Sequence, residues 1–545
     1  MNKALKRAQL FFSLSLRTRE FKSLARANRL SKIRSKSVVL VEHRYWAEQF
    51  VGLLPFIPTA MKIYDANPVV YEMFPSKYQI SLNKLLKHRF SILYSIAKSK
   101  FLLVSASPMT HSRHLEVIKL LTSEKITKED FVNFTYSGIQ VGDLIYDFFL
   151  RKSKKITLEF NHPGLAWHIS EFLQYVDFFE EYFKSNDVRA VLVSHPVYHF
   201  EIPVRMALKY KVDSYLVDMK RATRITAKFP KAYNNEWKEL RKNFESLSID
   251  SKEKALAIGK NLLTKRLNGD TSQLVGLKKT TFYDQWESPI PSIYHPNSVL
   301  IALHDFYDAV HKHGNFFYAD FYEWLLSLSR IASKGNRQFF VKPHPWSLRN
   351  AETELRKIIS ESKNLTLLPP DFEHRNLREL GIAFATTVYG HIAEELPGLG
   401  INVINASSEN RYEDFGFCIT PKSREEYEHI IGNLDKLNTV IDYNSLYEFY
   451  FMNYSYNLPS WTVTNYYEFI KGVGGLREIN SETLFSKYFA KMDKVNISCL
   501  QSAVTAFITS KDLILSRHHF NKNCAFEGSC HCKFLLNGDL TFGTV

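Results

Sequence analysis

The chain has 545 residues, 45% of them hydrophobic and 23% charged. That is ordinary globular composition, too long for a single core and too apolar for a disordered chain. The net charge is +15, yet residues 1–36 alone hold eleven Lys/Arg against Glu20, so the rest of the chain is nearly balanced. A nucleic-acid enzyme spreads basic charge along its groove, so nucleic acid is not expected as a partner.

The basic arm, residues 1–36, carries Leu5, Ala8, Phe12 and Leu16 at helical spacing. A basic amphipathic helix suits an anionic membrane surface. It does not read as a signal peptide, because Leu10–Leu16 is short and Arg17 and Arg19 follow it. No run reaches the ~18–20 apolar residues of a spanning helix. Val51–Met61 is interrupted by Pro55 and Pro58. A cytoplasmic chain, at most peripheral on the inner face of the membrane, is expected.

Short β-branched runs at Ser37–Glu42, Phe101–Ser105, Lys155–Phe160, Ala190–Ser194 and Ser214–Val217 predict buried strands. Helical patterns at Trp167–Lys184, Pro203–Tyr210 and Lys254–Leu267 lie among and after them. This makes a first α/β domain over 37–268. Residues 269–297, with Gly276, Pro289, Pro291 and Pro296, read as a linker. A second series fills 298–475. Its strands are Ser298–Leu303, Gln338–Val341, Leu365–Leu368, Leu380–Ala385 and Asn402–Asn405, and its helices Asp320–Ser333, Leu348–Ser360 and His391–Leu396. Strands alternating with helices predict parallel sheets. The expected architecture is α/β, two Rossmann-like doubly wound domains facing a cleft. Residues 476–545 form a helical tail that ends in Cys524, Cys530 and Cys532, with His518, His519 and His531 nearby. Five cysteines make no disulfide framework. The tail spacing is not that of paired zinc modules, so a loosely packed tail is expected.

In open parallel sheets ligands bind beyond the carboxyl ends of strands, and three motifs stand there. Lys342-Pro343-His344-Pro345 follows one strand; a Lys charge and an imidazole on a Pro-stiffened turn suit a phosphate, and His344 can protonate a departing oxygen. Thr386-Thr387-Val388-Tyr389-Gly390-His391 follows another, where Gly390 permits close backbone approach and the next helix offers its N-terminus to an anion. Glu394 and Glu395 lie one turn on; neighbours on a helix diverge by ~100°, so only one should face a ligand. His304, Asp305, Asp308 and His311 cluster after the 298–303 strand, read as lining a cleft for acid–base work rather than holding a metal. In the first domain, Gly142–Asp147 and Ser194-His195-Pro196-Val197-Tyr198 stand where they can serve an acceptor.

Lys342-Pro343-His344-Pro345, the Tyr389-Gly390 to Glu395-Leu396-Pro397-Gly398-Leu399-Gly400 helix and Asn402-Val403-Ile404-Asn405 resemble bacterial capsule polysaccharide biosynthesis proteins, in GT-B glycosyltransferase order. More distantly the chain is similar to CDP-glycerol glycerophosphotransferases and bacterial sialyltransferases. The resemblance is specific over 298–410, weaker over 37–265 and absent from the arm and tail. It implies inverting, metal-independent glycosyl transfer from a nucleotide-activated donor, with no further cofactor. It puts His344, Thr386 and Thr387 on the donor phosphate and Glu395 on the ribose. His391 stands where a small or hydroxyl residue is common, which implies an altered phosphate or sugar environment, or lost activity. A CMP-linked donor, and a glycan or glycolipid acceptor of capsule or lipopolysaccharide synthesis, are further implications. The alternatives are a polyol-phosphate transferase using a CDP-linked donor and a non-catalytic partner in a polysaccharide synthesis or export complex.

Overall fold

The computed structural model describes residues 35–520, apart from 44–46, 75–99, 107–110, 124, 270–293, 313, 345–347, 438–439, 458–459, 464–465, 474–483, 485–486 and 489–493. The basic arm, most of the linker, Pro345 and the three tail cysteines lie outside the described residues.

The first sheet contains β1 (Val38–Glu42), β2 (Asn67–Phe74), β3 (Lys100–Ser105), β4 (Val188–Val193), β5 (Asp213–Val217) and β6 (Ala222–Ile225). They lie in the order β3-β2-β1-β4-β5-β6, parallel throughout except for the β5–β6 edge. The second sheet contains β7 (Ser298–Ala302), β8 (Phe339–Lys342), β9 (Leu365–Leu367), β10 (Ile382–Thr387) and β11 (Asn402–Asn405). Its order is β9-β8-β7-β10-β11, all parallel. Both orders reverse their winding beside the first strand, between β1 and β4 and between β7 and β10. The chain is therefore a GT-B-like α/β protein with two Rossmann-like sheets.

Side-chain alternation assigns each strand to two cores. Leu40 of β1 and Val299 and Ile301 of β7 join one apolar cluster that runs through both domains. Val39 and Val41 pack on the opposite side with the Ala47–Tyr64 helix and, from far along the chain, Trp461 and the Lys494–Ser510 helix. Leu300, Phe340 and Ala385 pack with the Ile249–Leu267 and Tyr443–Phe451 helices. Those two helices touch closely: a Cβ on Gly259 would lie 1.9 Å from the Tyr447 carbonyl oxygen. So the packing crosses the boundaries read from sequence, with 249–267 under the second sheet and 494–510 under the first.

One local expectation fails, and two elements were not read from the sequence. Lys155–Phe160 forms turns, not a strand; Thr157 Oγ1 and the Leu158 amide bond to Asp320 and to the Tyr146 hydroxyl instead of to a ladder. The 67–74 strand went unread because Pro68 and Pro75 punctuate it. Residues 47–64 are one helix despite Pro55 and Pro58, each of which costs an interior helix ~3 kcal/mol. Its buried Val51, Leu53, Phe56, Ile57 and Ala60 supply the compensating apolar burial. Among the described residues no helix is long and apolar enough to cross a membrane.

Candidate functional site

The carboxyl ends of β7, β8 and β10 bring the sequence motifs together. His304 leaves β7 and turns its Nε2 toward β10, where the amides of Val388 and Tyr389 donate to it at 3.3 and 3.4 Å. Its ring is stacked on Phe321 and inclined against Tyr389. Burial pushes the imidazole down to about 3, with help from His344 and Arg411. His304 is thus a neutral acceptor that ties two strand ends together. Thr387 Oγ1 lies 3.2 Å from both His304 Nε2 and the Ala302 carbonyl and can donate to either. Gly390 is close-packed here, because an added Cβ would meet Thr387 Oγ1 at 3.1 Å and His304 Cε1 at 3.5 Å.

Thr386 goes elsewhere. Adjacent strand residues face opposite sides, and Thr386 Oγ1 is 2.8 Å from the buried Tyr427 hydroxyl, which also accepts from Trp324 Nε1. Lys342 is likewise inside β8 rather than in the loop after it. It is 4% exposed, and its ammonium donates to the Pro370 carbonyl. Burial pushes it down to about 7 against the pull of Asp371 and Glu395.

His344 is half-buried beyond β8. Burial lowers its pKa, while the carboxylates of Asp305 and Asp308 oppose that. Asp305 Oδ1 accepts from the Tyr307 amide at 3.1 Å and Asp308 Oδ1 from the Ala309 amide at 2.9 Å. Their second oxygens take no hydrogen bond from another described residue. A pair of carboxylates beside an imidazole at a switch point can move protons between two oxygens of a bound substrate.

The helix expected after Gly390 is a single α-turn, Ile392–Glu395, continued as 3₁₀ over Leu396–Leu399. A turn that short sums few peptide dipoles. Its glutamates are engaged. Glu395 accepts from Arg266 Nε at 3.0 Å and from His374 Nδ1 at 2.9 Å, and Glu394 accepts from the Tyr454 hydroxyl and pairs with Arg411 at 3.3 Å. Sequence reasoning missed Arg411, which arrives from the loop after β11. Its guanidinium donates to the Tyr389 carbonyl and to His391 Nε2, both at 2.7 Å, and lies over the Trp237 ring. Nothing local in the sequence marks this arginine.

The first domain meets this site through the Gly142–Ser153 helix and the Ser194–Tyr198 loop. Glu42, at the end of β1, accepts from the amides of Ser194 and His195 at 2.6 and 3.1 Å and so fixes the first switch point. Asp143 is absorbed inside its own domain by a two-pronged pair with Arg205 at 2.6 and 2.7 Å; its burial is outweighed by that cation, which holds it at about 2. Asp147 instead crosses between domains. Its Oδ1 accepts from His311 Nδ1 at 2.7 Å and its Oδ2 from the His311 amide at 3.2 Å. His311 therefore leaves the acid–base cluster to which its spacing assigned it. Burial raises the Tyr198 phenol, as do Asp308 and Asp147, so one tyrosine senses carboxylates of both domains.

The Asp147–His311 bridge predicts a pH dependence. Burial alone would lower His311, but Asp147 raises it above its ordinary value; Asp147 itself is raised by burial. Each raised group binds its proton more tightly in the folded chain, so both contributions fade as pH rises. The urea midpoint should fall between pH 6 and pH 8, and Asp147→Asn should flatten that fall while costing ~3–5 kcal/mol.

No family model matches the chain, and no curated protein matches it. Among solved structures, UDP-GlcNAc 2-epimerase of Methanocaldococcus jannaschii aligns at 10% identity over 75% of this chain and 95% of that one, with a TM-score of 0.22. MurG of Acinetobacter baumannii aligns at 9% over 77% and 94%, with a TM-score of 0.22. A glycosyltransferase of Rickettsia africae aligns at 11% over 84% and 100%, with a TM-score of 0.25. At such scores the fold rests on the two strand orders themselves, and the site rests on the contacts at their switch points.

Proposed function

We propose that the chain is a glycosyltransferase that moves a sugar from a nucleotide-activated donor to an acceptor hydroxyl with inversion. The observation that carries this reading is the gathering of His344, Asp305, Asp308, His304 and Thr387 at the second switch point, faced by Asp147 and Tyr198 of the first domain. Asp305 or Asp308 accepts the acceptor proton as the new C–O bond forms. The bond from the sugar carbon to the phosphate oxygen breaks, and its electron pair leaves with the nucleotide. His344 stabilises that charge by donating to the phosphate, and Arg411 lends a fixed positive charge behind the Tyr389–His391 turn. His304, Thr387 and Gly390 shape the turn, and His391 borders it. No metal has a role in this scheme. Thr386, Lys342 and Glu395 act from beneath, as supports. The His-Pro motif shared with sialyltransferases favours a CMP-linked donor, and the capsule-like motifs favour a surface-polysaccharide acceptor carried on lipid, which the basic arm would help reach.

A thermal-shift screen of CMP, CDP, UDP and GDP is the first test. Stabilisation by one nucleotide supports the reading, and none supports a non-catalytic partner. Polyol-phosphate transfer is separated by the product formed from a CDP-linked donor.

Proton linkage then locates the phosphate. An anion raises the pKa of a cationic group it touches. Free Lys342, at about 7, is mostly neutral at pH 8. If phosphate reaches it, binding at pH 8 takes up close to one proton, and Lys342→Met abolishes the uptake. With Lys342 as a buried support, uptake at pH 8 is absent and appears only at lower pH, from His344, whose pKa burial lowers. Calorimetry in buffers of different ionisation enthalpy reads the difference.

A further inference from the structure

Far from the cleft, the chain after the Lys494–Ser510 helix doubles back along the edge strand β6. Arg224 of β6 donates its amide to the Leu513 carbonyl at 2.7 Å, and the Leu515 amide donates to the Ala222 carbonyl at 2.9 Å. The Arg224 guanidinium also donates to the carbonyls of Ile508 and Asp512. The segment then closes in a 3₁₀ turn, Arg517–His519. This reversal carries Asp512 against two adjacent histidines. Asp512 Oδ2 lies 2.8 Å from His518 Nε2 and 3.1 Å from His519 Nε2, and the two rings are 4.0 Å apart.

We propose that Asp512, His518 and His519 form a site for one divalent transition-metal ion of the zinc class. Two imidazole nitrogens and one carboxylate oxygen are a donor set that favours such an ion over calcium or magnesium. With metal–ligand bonds of ~2.0–2.1 Å and tetrahedral angles, ligand atoms stand about 3.3 Å apart. The two carboxylate–imidazole separations need to open by only a few tenths of an ångström, and all three ligand atoms lie within 4.8 Å of one another. The outer nitrogens are also provided for. His518 Nδ1 is 2.8 Å from Ser516 Oγ, while His519 Nδ1 lies 3.1 Å from the Ser516 amide and 3.3 Å from its carbonyl. A metal on Nε2 selects the tautomer in which Nδ1 carries the proton and donates to the carbonyl, the usual outer partner of a ligating histidine, so the Ser516 amide that donates to Nδ1 without metal has to turn aside. Ser510 Oγ, 3.2 Å from His519 Nε2, completes the polar wall. The His519 side chain is 1% exposed and that of His518 66%, so the fourth position opens to water. Bound there, the ion would close the 511–519 return segment on itself, beside the edge of the first sheet.

The test uses the full chain, freed of metal with chelator and titrated with Co²⁺, whose visible absorption reports nitrogen and oxygen ligation; Zn²⁺ then competes it away. One equivalent is expected for the wild-type chain and for a Cys524→Ser/Cys530→Ser/Cys532→Ser variant, with Zn²⁺ raising the melting temperature. His518→Ala removes an exposed ligand and Asp512→Asn the anionic one. Each should weaken binding at least tenfold while the metal-free melting temperature of the His518→Ala protein stays unchanged. Absence of Co²⁺ binding overturns the proposal, as does binding that survives His518→Ala or that vanishes with the three cysteines.

Discussion

Transfer by a His344→Ala variant is expected to fall by ~10²–10⁴-fold, the range for a positioned proton-transfer group. The side chain is half-buried beyond the end of β8 and fills no core, so the unfolding midpoint should change little. How the loss divides between constants is the sharper readout. If His344 acts on the leaving phosphate, kcat and kcat/KM fall together, because the contact strengthens only as charge develops. If it merely binds the donor, KM rises and kcat is kept. His344→Asn, which retains a donor but not an ionisable one, should recover part of the loss in the first case. Burial depresses His344, so the free protein carries it neutral at pH 7. The donor's phosphate reverses that by pairing, and the proton is taken up from solvent as the substrate binds. Turnover retained by His344→Ala would remove the centrepiece of the proposed mechanism.

The second domain was legible because its strands are short β-branched runs spaced by helices. The 348–360 helix and the 402–405 strand stand as read, and the other strands shift by one or two residues. Those small shifts decide chemistry. Ending β8 at Val341 puts Lys342 in a loop facing the ligand; ending it one residue later puts the ammonium under the sheet. The same pleat allows only one of Thr386 and Thr387 to face the cleft, although the two look equivalent in sequence. The contacts that give the site its walls were not legible. Arg411 meets Tyr389 and His391, Asp147 meets His311 164 residues away, and Glu395 meets Arg266 129 residues away. Such pairings are made by topology, and no local spacing encodes them. The first domain was harder still, since its 47–64 helix carries two prolines and one strand is bounded by them.

Glu395→Gln is expected to be among the most destabilising single changes in the second domain. The carboxylate is 2% exposed and lies between Arg266, from the 249–267 helix, and His374, from the 374–380 turn. Removing its charge strands a buried guanidinium, which costs ~3–5 kcal/mol. The resemblance to capsule enzymes offers a different role, a hydrogen bond to the donor ribose, and the two are separable. A ribose contact predicts an unchanged unfolding midpoint and a nucleotide affinity weakened by roughly 1–3 kcal/mol. The buried cluster predicts the reverse order: a lowered midpoint first, and weaker binding only as its consequence. The double variant Arg266→Met/Glu395→Met decides between them. An apolar pair of similar volume in place of a buried ion pair is often neutral or stabilising, so this variant should regain most of the stability that either single change loses. If it also binds nucleotide like the wild-type chain, Glu395 holds the floor of the site together and the ribose is read elsewhere.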